Sequence, residues 1–135
     1  MNDFKKKWVI LVDDDEDDRF LFQQAFRPYS SNYLLQTLAT GPELFQLLED
    51  SLGLPALIIL DLNMPLVDGF EVLTWLRSHA DYALIPTVIL TTSADQTDRQ
   101  RAQELGANRF LTKPPTLPDL TKLVAGLEQD WLVRL

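Results

Sequence analysis

The chain contains no cysteine. That excludes a disulfide framework and thiolate chemistry, and it is compatible with a reducing compartment. With a single histidine besides, the usual nitrogen and sulfur ligands of zinc are also lacking. Basic residues are outnumbered: 12 Lys and Arg against 20 Asp and Glu leave a formal net charge of −8. This disfavours binding to nucleic acid or anionic membrane and favours cationic partners or metal ions. Long hydrophobic runs are missing too. Lys5, Lys6 and Lys7 precede an apolar stretch in the manner of a signal peptide, but Trp8 to Val12 is too short for a signal h-region or a membrane span. No membrane association and a cytoplasmic location are therefore expected. Repeats, low-complexity tracts and linkers are absent, so residues 1–135 are expected to form one domain.

What the sequence does hold is alternation. Short, β-branched apolar runs occur at 8–12 (WVILV), 56–60 (ALIIL) and 87–92 (TVILTT), with weaker ones at 33–39 and 109–112. Continuous apolar runs, rather than period-two alternation, predict strands buried on both faces of a parallel sheet. Amphipathic segments separate them. Asp15 to Arg27 places Leu21, Phe22, Ala25 and Phe26 on one helical face, leaving Phe20 off it. Thr40-Gly-Pro-Glu43 opens a second helix, and Gly69 to His79 forms a third with Val72, Leu73 and Leu76 inward and Trp75 off the stripe. Asp95 caps a fourth that stops at Leu105-Gly106. Thr116 caps a fifth, with Leu120, Val124, Leu127 and Trp131 inward. Five strands and five helices in strict alternation predict an α/β, doubly wound parallel sheet of flavodoxin-like type, with ligands bound beyond the carboxyl ends of the strands.

Acidic and polar residues stand at those ends: Asp13-Asp14, Asp61, Thr91-Thr92-Ser93 and Lys113-Pro114. Carboxylates brought to one rim by different strands repel one another unless a cation sits among them. Few, hard oxygen ligands suit Mg²⁺. Magnesium beside a free carboxylate, a lysine and a hydroxyl is equipment for phosphoryl transfer.

The acidic pair Asp13-Asp14, Asp61 in DLNMPLVDG, Thr91 in ILTTS and Lys113 in TKP, each at the end of its own predicted strand, resemble the receiver domain of two-component response regulators. The likeness covers about Trp8 to Leu127. It implies strand order 2-1-3-4-5, with Asp61 as phosphoacceptor from a phosphohistidine on a sensor histidine kinase. It further implies that Asp14, Asp61 and the main-chain carbonyl of Asn63 bind Mg²⁺ directly, and that Asp13 acts through a metal-bound water. Lys113 and Thr91 contact phosphoryl oxygens in this reading, and the Thr92 N–H helps to cradle them. A cis Lys113–Pro114 bond is expected from the same resemblance, as is an inward swing of Phe110 at the aromatic switch position. Phe110 and Pro115 depart from the commonest family pattern, and Asn63 and Ser93 fall where phosphate lifetime is tuned.

Asp15 to Asp18 are explained by the dipole at a helix start, and His79 by solvation. A flavodoxin-like cofactor binder is rejected because Asp13-Asp14 repels phosphate where a Gly-rich or Ser/Thr-rich loop is needed. An aspartyl phosphohydrolase is disfavoured by Asn63, where such enzymes carry a second acid. The expectation is a stand-alone regulator, not a turnover enzyme, similar to single-domain regulators paired with phytochrome-type kinases. No effector domain is expected, and the expected output is a contact with a downstream protein target. A phosphate shuttle to a histidine phosphotransfer protein, or an unphosphorylated scaffold, are the alternatives. The tail DWLVRL, with Trp131, Leu132, Val133 and Leu135 on several faces, points to phosphorylation-strengthened homodimerisation.

Overall fold

A computed structural model of the protein describes residues 6–133. Among these, five parallel strands form one sheet in the order β2-β1-β3-β4-β5. The strands are β1 (Lys7–Val12), β2 (Tyr33–Leu38), β3 (Leu57–Leu60), β4 (Thr87–Thr91) and β5 (Arg109–Thr112). Between and after them run α1 (Glu16–Phe26), α2 (Gly41–Asp50), α3 (Gly69–Ser78), α4 (Gln96–Glu104) and α5 (Leu117–Leu127).

The central apolar runs are buried on both faces for the reason their composition gave. Ile10, Val12, Ile58, Leu60 and Ile89 meet α2, α3 and α4 through Leu44, Leu48, Val72, Leu73, Leu76 and Ala102. The alternate residues Val9, Leu11, Leu57, Ile59, Val88 and Leu90 meet α1 and α5 through Phe22, Ala25, Phe26, Leu120, Val124 and Leu127. The two runs that read weakly in sequence are the sheet's edges, β2 and β5, where exposed and buried residues mix.

The helix starts follow local chemistry. Asp68 and Glu71 form a reciprocal capping box at α3, and Asp95, Thr40 and Thr116 each accept a backbone N–H at α4, α2 and α5. Gly106, at φ 99°, takes the left-handed conformation that ends α4.

Two positions differ from their sequence-based reading. Leu21 is 39% exposed rather than core, because the inward stripe of α1 is Phe22, Ala25 and Phe26, and Leu21 lies about 100° away from Phe22 around the helix. In the tail, residues Glu128–Leu132 form a π-helical turn. That wider turn carries Leu132, five residues after Leu127, into the core position that an α-helix would give to Trp131. Trp131 still packs against the edge of that core, half-buried beneath the Arg109 guanidinium, and the turn is tied down by Tyr33 Oη to Glu128 (2.9 Å), Arg109 to Asp130 (2.7 Å) and Lys7 Nζ to the Leu132 carbonyl. Leu135 lies outside the described residues.

Phe20 is 55% exposed, as its place off the stripe predicts. Trp75 is half-buried, and stacks between Phe45 (4.1 Å) and Tyr82 (5.3 Å). His79 is solvent-exposed and lies against the same indole at 4.3 Å.

Gly69 allows α3 to start directly against the end of β3. A Cβ there would stand 2.4 Å from the Asp61 carbonyl oxygen and 2.7 Å from Leu62 Cα. Gly69→Ala is expected to destabilise the protein by about 1–3 kcal/mol through this overpacking, read from the midpoint of urea unfolding.

Candidate phosphoryl-transfer site

The parallel ladder continues one residue past β1, β3 and β5, and this sets the site. Asp13 N–H donates to Leu38 O (3.0 Å), Asp61 N–H to Val12 O (3.0 Å) and Lys113 N–H to Thr91 O (2.7 Å). Strand register places Val12 beside Leu60, so the next residues, Asp13 and Asp61, are neighbours at one rim. Both are buried, with relative exposures of 2% and 6%. Asp14 is exposed beside them, and one carboxylate oxygen from each of Asp13, Asp14 and Asp61 lies within 4.8 Å of the others.

Lys113 closes the cluster. Its Nζ lies 2.8 Å from Asp13 Oδ2, 2.6 Å from Asp18 Oδ2 and 3.1 Å from Asp61 Oδ2. Burial of the ammonium opposes its charge, but hydrogen bonds to Asp13 and Asp18 outweigh that and raise its pKa above the ordinary lysine value. Asp13 shows the other side of the balance. Burial pushes its carboxyl up to about 6, and hydrogen bonds from Lys113 and the Asp15 N–H only partly offset it. The site has more carboxylates than one ammonium can neutralise.

This excess fits a divalent cation: the donor set is hard oxygen and closely spaced, with two of its three carboxylates buried. The Asn63 N–H makes a long 3.5 Å contact to Asp61 Oδ1, and Arg19 Nη1 donates to the Asp13 carbonyl (2.8 Å). Thr91 is fully buried, and its hydroxyl has no hydrogen-bond partner in the structure. Thr92, by contrast, is exposed. Ser93 Oγ donates to Asp98 (2.8 Å). Phe110 is already inside, 7% exposed, with the Arg99 guanidinium 4.8 Å from its ring centroid.

One expectation is corrected. The Lys113–Pro114 bond is trans, since no cis peptide occurs among the described residues. Trans is the intrinsically preferred isomer even before proline, and the long lysine side chain reaches all three carboxylates from it. Asp18 is the residue that sequence reading missed. As the third residue of α1 it was accounted for by the helix dipole, and only the packing of α1 beside the loop after β5 brings it to Lys113.

Carboxylates after β1 and β3, a hydroxyl ending β4 and a lysine after β5, on a 2-1-3-4-5 sheet, define the receiver class. Residues 9–125 match the response regulator receiver domain, and the chain belongs to that family of two-component signalling proteins. Response regulator Rcp1 of Synechocystis sp. is 37% identical over 131 residues, covering 93% of this chain and 89% of that protein. The crystal structure of the Mn²⁺-bound form of Rcp1 aligns with a TM-score of 0.85 at 36% identity, over 96% of each chain. That of the phosphorylated cyanobacterial phytochrome response regulator RcpA gives 0.88 at 33% identity, over 94% of each. No helix among the described residues is long and apolar enough to cross a membrane.

The Asp13 shift sets a pH dependence. Its folded pKa lies above the ordinary 3.8, so the stability it contributes is fully present below that value and is lost as pH rises through about 6. In chelator at pH 8, Asp13→Asn is expected to raise Tm by roughly 3–6 °C, the shift that about 1 kcal/mol produces in a domain of this size. The gain should fade towards pH 4 and shrink when a divalent cation is added, as followed by circular dichroism.

Proposed function

We propose that Asp61 is the phosphoacceptor of a Mg²⁺-dependent transfer from a sensor histidine kinase. The observation that carries this is the meeting of the Asp13, Asp14 and Asp61 carboxylates within 4.8 Å, closed by Lys113 Nζ 3.1 Å from Asp61. An Asp61 oxygen forms a bond to phosphorus as the bond from phosphorus to the donor imidazole nitrogen breaks. The nitrogen keeps the electron pair. Asp14, Asp61 and the Asn63 carbonyl would hold the magnesium, with Asp13 acting through a bound water. When bound, the ion neutralises charge on the phosphoryl oxygens. Lys113 pairs with one of those oxygens, and the unpartnered Thr91 hydroxyl donates to another, with the Thr92 N–H beside it. The relatives crystallised with Mn²⁺ and in the phosphorylated state support this reading.

The aspartyl phosphate works as a signal rather than as a turnover intermediate, in a single receiver domain acting in the cytoplasm. Drawing Thr91 towards the phosphate shifts the equilibrium of the neighbouring β4–α4 and β5 surface, where Phe110 fills the space beside it. The reader of that surface is a downstream protein or a histidine phosphotransfer protein. Phosphorylation also strengthens homodimerisation through α4, β5 and α5. With Leu132 buried, the tail offers this face less spare apolar surface than its composition promised; Val133 is its exposed apolar side chain among the described residues.

Incubation with Mg²⁺ and acetyl phosphate is expected to add the mass of one phosphoryl group to the wild type and none to Asp61→Asn, by intact mass spectrometry. Sedimentation is expected to show a shift from monomer towards dimer when beryllofluoride is added with Mg²⁺. A monomer under both conditions would refute the dimer.

A further inference from the structure

Asp18 makes the shortest of the three contacts to Lys113, 2.6 Å against 2.8 Å for Asp13 and 3.1 Å for Asp61. It differs from the other two in kind. Asp13 and Asp61 belong to the carboxylate cluster that fits a cation; among the described residues, that cluster does not include Asp18. Asp18 is delivered by α1, on a different element from the strand-end carboxylates, and its side chain is 34% exposed.

An ammonium has three N–H donors, and here three carboxylates surround it. Phosphoryl oxygens can be met only if some of those donors are released. A divalent cation held by the cluster competes for the charge of Asp13 and Asp61 and repels the ammonium. Asp18 is then the carboxylate left to hold it at the rim. Without that hold, a side chain with about 2 kcal/mol of rotamer entropy is free to move into solvent.

We propose that Asp18 is a positioning residue for Lys113: it keeps the ammonium over the phosphoryl site once the cation has taken Asp13 and Asp61, and so speeds transfer to Asp61. This rests on the reading of Asp61 as phosphoacceptor. The proposal gives the acidic run after β1 a division of labour. Asp13 and Asp14 belong to the cation, Asp15 caps α1 by accepting from Asp18 N–H (3.1 Å), and the Asp18 side chain belongs to the lysine.

The test follows labelling by acetyl phosphate at saturating Mg²⁺ in wild type, D18N, K113A and the double variant. D18N is expected to label about five- to tenfold more slowly, as loss of one charge-assisted hydrogen bond would produce. The double variant should label no more slowly than K113A, because residues that act through one another are non-additive. A purely repulsive Asp18 makes the opposite prediction, since removing its charge would speed the approach of an anionic donor. D18N labelling at the wild-type rate or faster, or the same loss repeated on the K113A background, would overturn the proposal. A second readout needs no chemistry. In magnesium-saturated protein with ¹⁵N-labelled lysine, the Lys113 ammonium signal is expected to persist in wild type and to be lost to solvent exchange in D18N; its persistence in D18N would count against the role. A wild type that never gains phosphoryl mass would overturn the Asp61 reading and this inference with it.

Discussion

The ammonium of Lys113 is where the electrostatics of the molecule close. Two carboxylates come from separate strands and a third from a helix, and the sheet drives two of them into near-complete burial. Left unpaired, such groups would have to be protonated or would oppose folding. One lysine can hold them together but cannot neutralise them all, and burial, only partly offset by Lys113, leaves Asp13 with a raised pKa. That deficit of positive charge is why the cluster fits a divalent cation.

That arrangement depends on the fold being stiff at this point. Asp13, Asp61 and Lys113 are each held by a backbone ladder bond to the neighbouring strand, so their positions belong to the sheet rather than to mobile loops. Gly69 brings the start of α3 against the Asp61 main chain, and Arg19 holds the Asp13 carbonyl from α1. On the far side of β4, Thr91 and Phe110 sit in the interior. In the proposed mechanism, the buried and unpartnered Thr91 hydroxyl is the group that relays a charge change at Asp61 towards α4 and β5.

The C-terminal turn shows how local geometry redirects a pattern. The apolar residues of DWLVRL looked like surplus surface, but one π-helical turn sends Leu132 into the core and covers Trp131 with Arg109. Lys7, Tyr33 and Arg109 anchor this turn to β1, β2 and β5. The segment therefore contributes to the stability of the sheet's amino-terminal end, opposite the phosphoryl-transfer site.

Alternation of buried runs with capped amphipathic segments pointed by itself to a doubly wound sheet, which buries VILV, LIIL and TVILT on both faces, while the strand order came from the family resemblance. The same reading placed Asp13, Asp14, Asp61, Thr91 and Lys113 at strand ends, because parallel strands all finish at one edge. It could not find Asp18. Asp18 stands on the first turn of α1, five positions after Asp13, and its partner is 95 positions away in sequence, so no local pattern records the contact. Nor could it give the trans Lys113–Pro114 bond, the exposure of Leu21 or the burial of Leu132. Periodicity specifies which face of an element is apolar; the rotation of each helix, the pitch of a terminal turn and the reach of a long side chain are fixed only when the elements pack.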